Sequence, residues 1–114
     1  MALTDTAKQE ALNGIVIDEI KLHSADPTAA GSVGLIAGTQ TTVAYSSASA
    51  GTRSLSTTYA IPIALAGQVV SHFSLWGAGT LKAYKVFDSA AETYANANGT
   101  ANVTSADITL SDVV

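Results

Sequence analysis

Charged side chains are scarce in this chain. Asp, Glu, Lys and Arg make up 12% of it, against roughly a quarter in ordinary soluble domains. From Pro27 to Leu81, about half of the protein, the one formally charged residue is Arg53. A surface built from Thr, Ser, Gln and Ala is cheap to desolvate, because burying a hydroxyl costs far less than burying a charge. The expectation is a protein packed against other subunits.

Cysteine is missing altogether, which excludes disulfides and thiolate metal sites and leaves the redox compartment unread. Cations are few: Lys8, Lys21, Arg53, Lys82 and Lys85 are scattered over a chain of net charge -4 and pI near 4.7. They form no basic stripe of the kind phosphate backbones require, so nucleic-acid binding is not expected. The longest apolar stretch, Ile61 to Ala66, is far short of the roughly 20 residues that cross a bilayer. The opening Met1-Ala2-Leu3-Thr4-Asp5 has neither the basic region nor the apolar run of a signal peptide. These features predict no membrane partner and assembly in a cytoplasm. Heptads, collagen triplets and long repeats are also lacking, which excludes a fibre shaft.

What remains is one domain over residues 1–114, near the commonest domain size. Such a chain buries roughly two thirds of its unfolded surface. Its start predicts a helix over 3–13. Thr4 or Thr6 can cap it, Gln9 stands three after Thr6 as in a capping box, and Asp5 suits the positive end of the dipole. Leu3, Ala7, Ala11 and Leu12 form an apolar stripe, and Gly14 stops it. About three turns of helix persist only if docked.

After Gly14 the period becomes two, and residues 15–112 read as β-rich. In Ile15–His23, Val16, Ile20 and Leu22 point one way, with Asp18 the exception; Glu19, Lys21 and His23 point the other. A turn at Ala25-Asp26-Pro27 and a Gly-rich segment, Gly31–Gly38, follow. Further strands are expected at Thr41–Ser46, Arg53–Ile63, Val69–Trp76, Leu81–Phe87 and Val103–Leu110, separated by Gly51, Gly67, Gly77 with Gly79, and Asn98-Gly99. The expected fold is mainly β, an antiparallel β-sandwich or small barrel with one short N-terminal helix.

Chemistry-bearing residues give little. His23 and Asp26 could begin a metal or acid–base site, but the only other histidine is His72, and a metal needs three or four converging ligands. A histidine bonded to a nearby turn that Asp26 shapes is the simpler expectation. No serine sits in a nucleophile elbow, and Gly31-Ser-Val-Gly34 followed by Gly38 lacks the Lys-Ser/Thr of a phosphate loop. Asp18 and Glu19, adjacent on a strand, face opposite ways; Asp88 and Glu92 lie in a polar turn. The sequons Asn98-Gly-Thr100 and Asn102-Val-Thr104 read as accidents of a Thr-rich chain. Trp76, with Tyr84 or Tyr94 as a second platform, could hold a sugar. In Phe73-Ser-Leu75-Trp76-Gly77, however, Phe73 and Leu75 share a face and Trp76 takes the other, as a core or interface anchor would. Neither catalytic residues nor a cofactor or metal site are indicated.

One ordered string of motifs resembles a known family. It runs from Leu3-Thr4-Asp5-Thr6-Ala7-Lys8 through Leu22-His23-Ser24-Ala25-Asp26-Pro27 and a Gly-rich loop to Tyr59-Ala-Ile61-Pro62. It continues with Phe73-Ser-Leu75-Trp76-Gly77-Ala78-Gly79, and then with Glu92-Thr93-Tyr94 leading into Gly99-Thr-Ala-Asn-Val103-Thr104. The order is similar to that of small tailed-phage virion proteins, mostly from phages of actinobacteria and often labelled minor tail or tail-fibre-like. Gly34-Leu-Ile-Ala-Gly38 and Val43-Ala-Tyr45-Ser46 stand where that family has Asn-Glu and Tyr-Ala-Arg pieces, so any ion pair between those pieces is lost. The resemblance implies a non-enzymatic virion component without catalytic residues.

The combined expectation is a bacteriophage structural protein located in the virion and assembled in the bacterial host cytoplasm. A capsid decoration protein on the head exterior is favoured over a minor tail, tail-tip or fibre-base protein, and a carbohydrate-binding module comes third. Its partners would be copies of itself and other virion proteins such as the major capsid or tail proteins, without nucleic acid or membrane. The residues expected at the interface are Leu3 and Leu12 on the helix, Leu35 and Ile36 in the Ala29–Thr42 loop, and Trp76.

Overall fold

The structure is a computed structural model that describes residues 3–87, 92–94 and 99–110. It is mainly β, with antiparallel strand pairing throughout and a single helix among the described residues. Helix α1 (Asp5–Asn13) starts at Thr4, whose Oγ1 accepts from the Ala7 N–H at 3.2 Å, and Asp5 sits in its first turn. The helix docks on β3 (Thr52–Arg53), which buries Leu12.

The principal sheet has four strands in the order β2 (Thr41–Thr42), β1 (Glu19–His23), β6 (His72–Gly77) and β7 (Thr80–Val86). Its inner face carries Ile20, Leu22, Phe73 and Leu75, all buried. Opposite lies the ribbon formed by β4 (Tyr59–Ile63) and β9 (Gly99–Val103), whose Ile61, Ile63, Ala101 and Val103 complete the core of the sandwich. Burying each large side chain here contributes about 1.5–3 kcal/mol. The short pair β5 (Gln68–Val70) with β8 (Glu92–Tyr94) extends one end.

Several expected strands are shorter or broken. Arg53–Ile63 and Val103–Leu110 do run antiparallel to each other. They pair only at two places: β3 with β10 (Ile108–Thr109), and β4 with β9. The two registers differ by one residue. The unpaired stretch between them absorbs the slip, and Ser54 and Ser56 bond to Ser46 and Ala44 instead. Val69–Trp76 breaks at Ser71, which bonds to His23 and Phe87. The leading strand pairs only from Glu19, so Val16 lies outside the ladder at 54% exposure and Ile17 is buried in its place. The residue Asp88, the side chains of Glu92 and Tyr94, and the Asn98 half of the expected Asn-Gly turn lie outside the described residues.

At Gly77 the sheet meets the segment that leads into it. A Cβ placed on Gly77 would stand 1.8 Å from the Val16 carbonyl oxygen. The crossing is fastened one residue away by the Asp18 N–H donating to the Trp76 carbonyl at 2.9 Å. Glycine is required there by space.

Candidate interaction surface

The outer face of the four-stranded sheet is where alternation places Glu19, Lys21 and His23 from β1 with His72, Ser74 and Trp76 from β6. The register sets Glu19 beside Trp76, Lys21 beside Ser74 and His23 beside His72. An outer face of this composition would normally be wet. Here residues 24–38 fold back across it as a strap. Asp26 Oδ1 accepts from the Thr28 N–H at 2.9 Å, turning the chain, and the Gly31 N–H bonds to the Pro27 carbonyl. The strap returns through Ser24 N–H to Gly34 O, at 2.8 Å, and Ile36 N–H to Leu22 O, at 3.0 Å. The Thr39 hydroxyl links its end to β1, accepting from the Leu22 N–H and donating to the Ile36 carbonyl.

Beneath the strap His23 and Ser74 are both 0% exposed. His23 Nδ1 lies 2.9 Å from the Val33 carbonyl oxygen, and Nε2 lies 2.7 Å from Ser74 Oγ. The Trp76 indole N–H donates to the same Ser74 oxygen at 2.7 Å. Burial lowers the His23 pKa from its ordinary value; the bond to Val33 opposes the shift, and His72 and Lys21 add to it. Removing the shared hydroxyl by Ser74→Ala strands the buried His23 Nε2 and the part-buried Trp76 indole nitrogen. The expected cost is about 1–3 kcal/mol in urea unfolding, with a change in Trp76 emission; an unchanged midpoint would show that these nitrogens find other partners.

Trp76 is half-buried, and its ring is not a bare platform. The Lys21 ammonium sits 4.0 Å from the ring centroid, and Lys21 is in turn 3.6 Å from Glu19. Gly31 presses on the ring edge so closely that a Cβ on it would lie 3.0 Å from Cζ2. His23 and Asp26, three apart in sequence, do not converge: one bonds the strap and the other its turn. Asp18 and Glu19 diverge as expected, Asp18 Oδ2 taking the Ala78 N–H at 3.4 Å. No group of three or more His, Cys, Asp or Glu comes together among the described residues.

The expected interface residues separate into two groups. Leu12 is 2% exposed and Ile36 is 6% exposed. Both pack in this chain's own interior, Leu12 because its stripe docks the helix and Ile36 because its N–H bonds to Leu22 of β1 and its side chain joins the core. They are therefore withdrawn from the interface. Leu3 and Trp76 are partly covered, and Leu35 is 44% exposed. Sequence reasoning missed the company Leu35 keeps. Leu35 bridges to His23, His23 pairs with His72, and His72 pairs with Val86. These side chains form one row across the sheet, and the exposed Tyr84 stands two residues before Val86 on the same face. Tyr84 and Val86 are thus exposed on the His72 side of this face, and Leu35 is exposed beyond the buried His23, on a strap that carries no charge after Asp26.

Arg53 was also missed as a structural hub. Its Nη1 donates to the carbonyls of Leu12 (3.1 Å) and Ile15 (2.6 Å), and its Nε to that of Ser46 (3.0 Å). The guanidinium stands 5.8 Å from the Tyr45 ring. Burial, with a smaller push from Asp107, raises the Tyr45 pKa well above the ordinary tyrosine value, and its hydroxyl donates to the Ala106 carbonyl at 2.7 Å.

An open cleft of about 710 Å³ lies between β7 and the β9–β10 segment, with Phe73, Leu75 and Ala83 on its floor and Asn102, Thr104 and Asp107 on its wall. Beside it β7 is the sheet edge, with a register shift opposite Leu75/Trp76 and with Lys82 and Lys85 along it. A bulge and lysines on an edge strand discourage pairing with another strand. No helix among the described residues is long and apolar enough to cross a membrane. Comparison with protein-family models, curated proteins and solved structures gives no match for this chain.

Proposed function

We propose that the chain is a non-enzymatic structural subunit of a bacteriophage particle, in particular a capsid decoration protein that packs as a homo-oligomer against other virion proteins on the head exterior. The observation that carries this reading is the outer face of the sheet, where Leu35 and Val33 are exposed on a strap without charge after Asp26 and Tyr84 and Val86 are exposed on β7. Grouped exposed apolar side chains mark interaction sites, and neutral neighbours keep desolvation cheap. Affinity would then come from many copies and buried neutral area, with closed rings as the natural arrangement. The order of motifs shared with small tailed-phage virion proteins supports the same reading.

A minor tail, tail-tip or fibre-base role would use the same surface and differs in copy number. The carbohydrate-binding alternative is weakened by Trp76, because Lys21 already occupies one face of its ring. Quantifying the chain against the major capsid protein in purified particles tests the proposal. Decoration gives hundreds of copies, a tail component gives a few, and absence from the particle removes the reading.

A further inference from the structure

We propose that His23, Ser74 and Trp76 form a proton-operated latch that holds the 24–38 strap on the sheet and releases it in mild acid. The polarity of the network is fixed by its ends. The Val33 carbonyl can only accept, so His23 Nδ1 carries a hydrogen; the Trp76 indole can only donate, so one lone pair of Ser74 Oγ is taken. In the neutral imidazole Nε2 is then an acceptor, and the hydroxyl hydrogen of Ser74 is its donor. The chain of donors runs from Trp76 to Ser74 to His23 to Val33, and it is complete only with a neutral imidazole.

A proton added to Nε2 turns that acceptor into a donor. Ser74 Oγ then faces two N–H groups, and its own hydrogen has to leave the acceptor it had, inside a site that is 0% exposed. Among the described residues the new cation has no carboxylate against it. From β6 it meets His72, along its own strand Lys21, and in the strap the one ionisable residue is Asp26, whose Oδ1 is engaged by Thr28. Neighbours of like sign and a buried charge both disfavour this state.

The sign follows directly. The folded chain holds His23 neutral and the unfolded chain protonates it more readily, so this contribution is fully present above the unfolded value of 6.5 and is lost as pH falls from there toward the lower folded value. The strap is the element that yields, because β1 and β6 are joined by a full ladder over the core, while the strap is held by the His23 contact, a few backbone bonds and the buried side chains of Pro27 and Ile36. Its release would uncover Trp76 and rearrange Val33 and Leu35 on the outer face.

The test is NMR on the full chain between pH 7.5 and 4.5. At pH 7.5, long-range proton–nitrogen spectra are expected to show His23 with its hydrogen on Nδ1. On acidification the single Trp76 indole N–H resonance should step together with His23, at a midpoint below 6.5. The protection of the Ser24 and Ile36 amides, corrected for intrinsic exchange, should fall about tenfold per pH unit as pH drops from 6.5 toward that midpoint while β6 amides keep theirs. His72→Gln should leave the step in place. An Nε2–H tautomer, loss of the step in His72→Gln, or loss of protection in the strap and β6 together would each overturn the latch.

Discussion

Arg53→Ala is expected to lower stability by about 2–4 kcal/mol, a fall in Tm of about 10 °C for a domain of this size. The arginine joins three parts of the chain that are far apart in sequence. Two of its bonds reach carbonyls at and just beyond the helix end, Leu12 and Ile15, and the third reaches Ser46. A cation at that end also complements the helix dipole, and the last turn of α1 has no basic residue of its own. The helix is short and carries little intrinsic stability, so its docking rests on Leu12, on Arg53 and on Asn13, whose Oδ1 accepts from the Ala48 N–H at 2.8 Å. Arg53→Lys keeps the charge but cannot span three carbonyls and is expected to recover less than half of the loss. Urea unfolding of the two variants measures this; a cost below about 1 kcal/mol for Arg53→Ala, the value of a single ordinary hydrogen bond, would mean that the helix is docked by apolar contact alone. Deleting residues 1–13 would break this same docking, so that truncation reports on folding before it reports on any partner.

Gly77→Ala is expected to be the more damaging change. The added methyl would meet the Val16 carbonyl oxygen at 1.8 Å and its carbon at 2.7 Å, and neither is the tip of a flexible side chain. Relief requires either β6 or the 15–18 segment to move, which breaks the Asp18–Trp76 backbone bond and disturbs the floor beneath Ile17 and Leu75. A loss of about 4 kcal/mol or more, or failure to fold, is expected. Gly79→Ala two residues later is the comparison. That site has φ +78 but no neighbour within 4 Å of an added Cβ, so only backbone strain of about 1 kcal/mol is at stake. Circular dichroism melts decide it: equal Tm losses for the two variants would contradict a steric requirement at Gly77.

Local pattern revealed the parts of the fold that local physics controls. The helix with its Thr4 cap, the inward pair Ile20 and Leu22, and the division of Phe73 and Leu75 from Trp76 all follow from spacing. Gly51, Gly67 and Gly79, read as turns, have φ of 76, 78 and 78. What could not be read was which faces the rest of the chain would cover. His23 alternates as an outward residue and does point outward, yet it is 0% exposed because the strap lies over it. Ile36 and Leu12 have the composition of an interface but are consumed by this chain's own packing. The breaks in Arg53–Ile63 and Val69–Trp76 arise where partners change, a long-range event that periodicity does not record. The neutral half of the chain therefore divides: one part is buried by the strap and core of the same molecule, and what it leaves exposed on the outer face, Val33 and Leu35, is joined there by Tyr84 and Val86 from β7.

That remainder is the central claim, and one measurement reaches it most directly. Leu35→Asp with Val86→Asp changes two side chains that are 44% and 51% exposed, so the isolated protein should keep its Tm within a few degrees. Particles assembled with this double variant in place of the natural chain are then purified and its copies per particle counted. A folded variant that is lost from the particles, or reduced at least tenfold, is the expected result. Incorporation at the natural level by the folded variant would contradict the assignment of this face to assembly.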